Sequence, residues 1–563
     1  MKQLKIFFLA AACTSLTACN DMLDKTPLDS FSDDNFWTSA KNVEGYANIF
    51  YNDFDGYSKE RAVGANLKFY WQKLSDDMVC NSFSDWYYKA VPALDNNWKE
   101  GYKEIRRTNV MLERIATMQL NDQERQHWNG VARMMRGWNY FQLVRMFGDV
   151  PLVMKSVGID DGNVLYAKRT DRTIVMDSVL NDLTYAADNM MERSLRSEFS
   201  RALAQAIRAE VCLFEGTFCK YQPTPDEERS KRYLNACKES CQQLMSNSSY
   251  QLSPTYQENY NSEDLLKNQE IIFYKPYKVG VHSHEMVIYL CASTPIDGMS
   301  RDAFESYLFL DGKPLALTAM DTDDAAEYKN GHLCLNNVLA NRDKRLAQTV
   351  DTCVFYNGLQ YMRFNRGMMM TSSSGYGIQK FDSEDIDDTY RYNSSSWPNH
   401  THAPIFWLAR IYLAYAEACA ELGTITQSDL DLSVNKLRKR AGLPNLTVNV
   451  GFDDPANNMG VNSLIWELRR ERRVELMYDG ERYWDLIRWN QLQLLDTNLH
   501  PNISLGANIK NDPSTEKKVD LNGSYIDGSH GRNRTFENKY KLFPIPSGQI
   551  TLNPNLEQNE GWK

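Results

Sequence analysis

From Trp98 onward, the apolar positions of this chain recur at intervals of three and four. Trp98, Tyr102, Ile105, Asn109, Leu112 and Ile115 fall on one helical face. A second run passes through Val131, Met134, Met135, Trp138, Phe141 and Met146, and stops at Gly148-Asp149-Val150-Pro151, residues that end a helix. The same spacing predicts helices over 174–191 and 200–218, with Ser200 as an N-cap. It predicts another over 405–422, closed by Gly423, and one over 430–441, closed by Gly442-Leu443-Pro444. A last pair covers 464–478 and 483–495. Paired helices with short connections predict stacked hairpins of tetratricopeptide type, although no regular repeat consensus is present. Between the pairs lie irregular stretches at 80–97, 275–302, 350–403 and 500–540, rich in aromatics, Ser, Asn and Gly. Loops of this length inside a compact protein are usually functional, and their aromatic content argues against disorder.

The most distinctive segment is 471–489, where charge alternates with apolar and aromatic residues at helical spacing, broken at Asp479-Gly480. Arg469, Arg470, Arg472 and Arg473 beside Trp484 and Trp489 suit a nucleic-acid groove with stacking rings. They equally suit the inner face of a scaffold. Net charge decides against the first reading: −10 with a pI near 5.5 is the wrong sign for phosphate neutralisation. Glu467–Glu471, Glu471–Glu475 and Arg469–Arg473 are like pairs at i,i+4, so such a helix packs well only among charged partners from adjacent helices. A structural charge network is the expectation.

The first residues carry a second signal. Lys2 and Lys5 precede an apolar run, Ile6 to Ala12, far shorter than the ~20 residues a membrane span needs. Leu16-Thr17-Ala18-Cys19 resembles the lipobox of bacterial lipoproteins, which predicts a signal peptide over 1–18 and lipidation at Cys19. Residues 20–32 read as a polar tether. Of 11 cysteines, nine remain beyond Cys19, scattered through apolar segments without a C-x-x-C pair; buried thiols are expected rather than a zinc site or a disulfide framework.

No catalytic signature is present. The chain lacks H-E-x-x-H, G-x-S-x-G and the phosphate-binding glycine loop. His282/His284 and His400/His402 are i,i+2 pairs that could ligate metal if brought together, but loop histidines without a third ligand motif are usually solvent-facing or hydrogen-bonding residues. Acidic residues over 382–388 permit a structural calcium but lack an EF-hand pattern. The expectation is no enzyme, no cofactor and no resident metal.

Taken together, these blocks resemble the SusD/RagB family of outer-membrane nutrient-binding lipoproteins. The resemblance runs in order through Cys19-Asn20-Asp21-Met22-Leu23-Asp24, Ala132 to Phe141, Gly148 to Val153, Phe214 to Phe218, Glu270 to Phe273 and Arg342 to Leu346. It continues through Arg410 to Ala418, Val434 to Arg438, the 471–489 block, Phe543-Pro544-Ile545-Pro546 and Asn553 to Asn559. Met134-Met135 stands where the family often has Phe-Leu, a core difference. The resemblance implies a mainly α superhelix of tetratricopeptide-like hairpins with long aromatic-rich loops and a few short strands. It divides the mature chain into an N-terminal region over 19–250 and a C-terminal region with the loop insertions over 251–563. It also implies a lid on a SusC-like TonB-dependent transporter, facing the cell exterior, that captures oligosaccharide or, less often, peptide and performs no chemistry. A scaffold that binds only a protein partner is the remaining alternative.

Sugar binding needs aromatic platforms flanked by planar polar groups. The best concentration is Asn81-Ser82-Phe83-Ser84-Asp85-Trp86-Tyr87-Tyr88, in the loop before the first hairpin, where the family tends to vary and bind, with Asp85, Trp86, Tyr87 and Tyr88 the candidate contacts. Tyr289, Tyr356, Arg363 and Trp397 complete the candidate glycan-contacting set, with core packing the competing use of each.

Overall fold

The structure, a computed structural model, describes residues 36–57, 68–80, 83, 86–284, 286–291, 297–356, 361–362, 369–387 and 399–563. Two short helices, α1 (Ala40–Ala47) and α2 (Lys68–Leu74), precede the main stack. The stack runs α3 (Asn96–Thr117), α4 (Asp122–Phe147), α5 (Arg172–Asn189), α6 (Arg201–Tyr221) and α7 (Glu227–Met245). After the one-turn α8 (Met286–Cys291) it resumes with α9 (Leu408–Glu421), α10 (Val434–Ala441), α11 (Ser463–Glu475) and α12 (Arg482–Arg488). Each of α3 to α7 packs on the next, α7 packs on α9, and α9 on α11. The stacked hairpins expected from the periodicity are present.

Local chemistry sets the helix ends. Asp95 accepts from Trp98 N at 2.8 Å and Asn121 from Glu124 N at 2.8 Å, satisfying donors that the first turn leaves unpaired. Ser200 caps α6 as expected, accepting from Leu203 N at 3.2 Å. The buried faces carry Trp98, Ile105, Met111 and Ile115 on α3, and Val131, Met134, Met135 and Phe141 on α4. Each such side chain contributes roughly 1.5–3 kcal/mol on burial. One polar clamp joins the second hairpin: Arg136 on α4 forks onto Asp182 on α5 at 2.7 and 2.9 Å and reaches Asn109 on α3 at 2.9 Å. A continuous hydrophobic core runs from Val43 to Leu556.

Three sequence expectations change. The run 405–422 begins as a strand, because its first residues pair with another segment instead of continuing the helix. The helix expected over 430–441 breaks at Ser433, with φ −128° and ψ −100°. The helix over 483–495 stops at Arg488 and resumes as a 3-10 turn, Leu492–Leu495. A whole helix, α7, was absent from the expectations. Its charged composition hides a stripe of Tyr233, Leu234, Cys237, Cys241 and Leu244, all buried.

The strands are short and serve as fasteners. They are β1 (Met78–Cys80), β2 (Ile271–Lys275), β3 (Asp297–Met299), β4 (Glu327–Lys329), β5 (His332–Cys334), β6 (Val350–Val354), β7 (Tyr361–Met362), β8 (Met369–Met370), β9 (Tyr376–Ile378) and β10 (Ala403–Trp407). Late in the chain come β11 (Leu505–Asn508), β12 (Leu521–Asn522) and β13 (Tyr525–Asp527). Among the described residues these strands pair with one another antiparallel: β1 with β3, β2 with β10, β7 with β8, a sheet ordered β4-β5-β6-β9 and another ordered β11-β13-β12.

The charged block 471–489 is buried and paired, as the like-charge spacing required. Arg472 meets Asp485 at 2.8 Å, and Arg488 bridges Asp485 at 2.8 Å and Glu417 of α9 at 2.5 Å. Arg345 joins Glu471 at 2.6 Å and Glu475 at 2.8 Å, and Arg440 joins Glu270 at 2.8 Å. Burial alone would raise Glu417, Glu475 and Asp485, but their arginine partners outweigh it and hold each below the usual carboxylate range. The break after α11 is conformational: Tyr478 (φ 67°) and Gly480 (φ 77°) turn left-handed, and Lys380 seals the corner onto Asp479 at 3.2 Å. Replacing Arg488 by Met should cost about 3–5 kcal/mol in urea unfolding, because Glu417 is left buried without its cation. Lys510→Met, which breaks an exposed pair with Asp323, should cost less than about 1 kcal/mol; equal losses would contradict the network's role.

Candidate functional site

The irregular segments grow from stems that the fold holds together. Cys80, at the end of β1, pairs in register with Asp297, the first residue of β3. Ser373 donates its hydroxyl to Val79 O at 2.6 Å, and Ser372 donates to Asp297 O at 3.1 Å, tying residues 372–374 to both strands. The same residues tie back to the end of β6, where Ser372 N donates to Phe355 O at 3.1 Å. Helix α8 packs on β3 and β9, and Val287 N of α8 donates to the Asn399 side chain at 3.2 Å. An antiparallel bridge joins His284 to Asn399. The stems of the segments 81–85, 292–296, 357–368 and 388–398 therefore share one locus.

Two devices fix that locus. Gly298 allows the close approach, since a Cβ there would run into the hydroxyls of Ser372 and Ser374. Arg534, almost fully buried, donates to Phe83 O at 2.8 and 3.0 Å and to the carbonyls of Lys73, Leu74 and Ser75. It thus caps the carbonyl end of α2 and pins the first loop, with its guanidinium over the Phe83 ring at 4.5 Å. Neither device stood out in the sequence. The run Ser372-Ser373-Ser374-Gly375 was the one available signal.

The candidate glycan residues separate into two groups. Asp85, Arg363 and Trp397 lie outside the described residues, as does Cys19, and of Tyr289 only the backbone, within α8, is described. The others pack inward. Trp86, 7% exposed, stacks on Tyr540 at 4.4 Å and donates its indole N–H to Thr535 O at 2.9 Å. Tyr356 is 2% exposed and donates its hydroxyl to Asp512. Tyr87 stacks on Phe543 at 4.6 Å and accepts from Asn97 at 3.0 Å, and Tyr88 sets its ring edge-on to Phe543 at 5.4 Å; both stay half-buried. The space enclosed by this aromatic group is about 10 Å³, room for no more than a water. Trp86 and Tyr356 accordingly offer no open ring face here and act as anchors of their loops. A separate polar cleft of about 570 Å³ lies between α5 and α7, lined by Asn181, Thr184, Arg208, Arg232, Asn235 and Glu239, without the aromatic wall that a sugar ring needs.

The four loop histidines do come together, but as packing groups. His284 is buried, and burial followed by its histidine neighbours pushes it down to about 3 against a hydrogen bond with Thr401 O. His282 stacks on Tyr277 at 4.8 Å and His402 on Tyr274 at 5.1 Å, while His400 pairs with Glu263. Among the described residues no cluster of His, Cys, Asp or Glu suits a metal ion, and no helix is long and apolar enough to cross a membrane.

Comparison with known proteins gives this geometry a context. The family model described as "SusD family" matches residues 269–562, and one described as "Starch-binding associating with outer membrane" matches residues 23–213. A SusD-like protein of Bacteroides ovatus is 25% identical over 86% of this chain and 82% of its own. The starch-binding protein SusD of Bacteroides thetaiotaomicron is 24% identical over 99% and 98%. Among solved structures, a SusD-like carbohydrate binding protein from Bacteroides fragilis superposes with a TM-score of 0.70 at 22% identity, covering 93% of this chain and all of that one. A laminarin binding SusD-like protein does so with a TM-score of 0.59 at 18% identity, with the same coverage.

At the centre of the stems Asp297 is buried opposite Lys73, 3.7 Å away. Burial, only partly offset by that lysine, pushes its carboxyl up to about 7. Between about pH 4 and 7 the folded chain holds a proton here that the unfolded chain has released, so this group's contribution to stability is full at low pH and is lost as pH rises through 7. Asp297→Asn should therefore gain on the wild type by up to about 4 kcal/mol between pH 4 and pH 8. Urea titrations at both pH values check this; a difference that does not change with pH would contradict it.

Proposed function

The chain belongs to the SusD family, and on that premise we propose that it is a lipid-anchored protein of the outer membrane that captures oligosaccharide at the cell surface. It passes the sugar to a SusC-like TonB-dependent transporter and carries out no chemistry itself. The observation that carries this reading is that the stems of four loop segments, three of which carry aromatics, share one rigid locus. A chain-like ligand needs ring faces and hydrogen-bonding side chains presented together by a scaffold that does not give way. The names of the relatives, starch-binding and laminarin binding among them, point the same way.

Asp85, Tyr289, Arg363 and Trp397 are the residues proposed to meet the sugar, with Tyr87 and Tyr88 as an aromatic rim. Tryptophan and tyrosine supply flat apolar faces for the C–H side of a pyranose, and Asp85 and Arg363 supply planar partners for its hydroxyls. Trp86 and Tyr356 are proposed to hold the loops that carry them. Cys19 is the proposed lipid attachment. The aromatic-lined loops, and not the polar cleft between α5 and α7, are thus the proposed binding surface.

Affinity electrophoresis against a panel of soluble polysaccharides tests the reading, with starch and laminarin included. The expected result is retardation by at least one of them, weakened about tenfold in Trp397→Ala, which removes about 1.4 kcal/mol of stacking. No release of reducing ends should accompany binding. Failure of every polysaccharide to retard the protein, with the transporter still co-purifying, would replace glycan capture by a purely protein-binding role.

A further inference from the structure

The sheet that leads into the Tyr356 segment places two cysteines face to face. Cys334 of β5 and Cys353 of β6 are direct partners in the antiparallel register. The neighbouring pair, Leu335 and Thr352, is joined by a backbone hydrogen bond, Leu335 N to Thr352 O at 2.8 Å. Hydrogen-bonded and non-hydrogen-bonded pairs alternate along such a ladder, so Cys334 and Cys353 occupy a non-hydrogen-bonded position. There the Cα atoms lie ~4.5 Å apart and the side chains of both residues leave the same face, within the span a disulfide bridges. The structure holds both as thiols. Cys353 is buried, whereas Cys334 is partly open to solvent.

We propose that Cys334 and Cys353 form a cross-strand disulfide in the exported protein. The oxidant is a disulfide of the thiol oxidoreductase class or of glutathione type. Cys334, the accessible sulfur, attacks one sulfur of that disulfide as its thiolate and displaces the other as a thiol. Cys353 then attacks the Cys334 sulfur, releasing the second thiol. Two protein thiols are oxidised to one S–S bond, and two electrons and two protons pass to the oxidant. Burial, with Asp351 and Cys334 next in effect, pushes the Cys353 thiol up to about 12, so the second step is the slow one. The contrast with Cys237 and Cys241 is instructive. Their sulfurs are 4.0 Å apart, but both sit on one face of α7 sealed in the core, out of an oxidant's reach.

The bond has a structural consequence. The segment it closes contains Arg345, whose guanidinium holds Glu471 and Glu475 in the buried charge network. The same strand β6 runs on to Tyr356. The disulfide thus ties the edge hairpin β4–β5 to the strand that carries a candidate ligand loop.

The test uses the purified full-length protein, reduced and then incubated with oxidised glutathione, so its outcome is independent of where the protein resides in the cell. Peptide mapping after thiol alkylation should recover the peptides of Cys334 and Cys353 joined, with Cys237 and Cys241 alkylated only after unfolding. In Cys353→Ser, Cys334 should instead carry a glutathione adduct. Reductant should lower the Tm of the oxidised wild type by about 3 °C and leave the Cys334→Ser/Cys353→Ser double variant unmoved. Recovery of both cysteines as free thiols, pairing of either with another cysteine, or an equal reductant shift in the double variant would overturn the proposal.

Discussion

The arrangement of this protein depends on a buried set of arginine–carboxylate pairs centred on α11 and α12. Five arginines between positions 469 and 488 are buried and a sixth, Arg473, is nearly so, a placement that is affordable only when every charge is met. The partners come from across the sequence: Asp76 and Asp77 before β1, Asp302 after β3, Arg345 beside β6, and Glu417 in α9. An apolar core tolerates small slips between helices. A network of forked, desolvated ion pairs does not, because a displaced partner leaves a bare charge in the interior.

That rigidity reaches the candidate site through very few steps. Arg473 takes Asp77 at 2.7 Å and Asp302 at 2.8 Å, and Arg482 takes Asp76 at 2.7 Å. Burial alone would raise Asp76, but Arg473 and Arg482 hold it far below the carboxylate range. One block of two helices therefore grips the approach to β1 and the exit from β3 at once. From β1 the chain passes to Phe83, whose carbonyl Arg534 holds, and from β3 the serines at 372–374 tie in the strand region that follows β6. The loops vary in sequence character, but their stems are bolted to the same charged block.

Much of the scaffold was legible in the sequence because it obeys local rules. Helical periodicity located α3 to α6, and glycine stops located several ends. The like-charge spacing of Glu467, Glu471 and Glu475 foretold that partners must come from elsewhere, which they do. What escaped was set by distant contacts. Residues 405–407 became a strand because β2 was there to pair with them, and α7 was obscured by a charged surface around a narrow apolar stripe. Trp86 looked like a sugar platform, yet an aromatic cluster in sequence cannot tell a ring that stacks on Tyr540 from one that meets a ligand. Arg534 and Asp297 gave no warning, since the groups they face lie hundreds of residues away.

The central claim is that a rigid charged scaffold presents loops to an oligosaccharide. Hydrogen–deuterium exchange, with and without a polysaccharide-derived oligosaccharide that the protein binds, addresses it most directly. Slowed exchange on ligand addition should be confined to 81–88, 285–296, 356–368 and 388–398, with α11 and α12 already slow and unchanged. Protection that appears instead along α5 to α7, with these segments unaffected, would contradict the account.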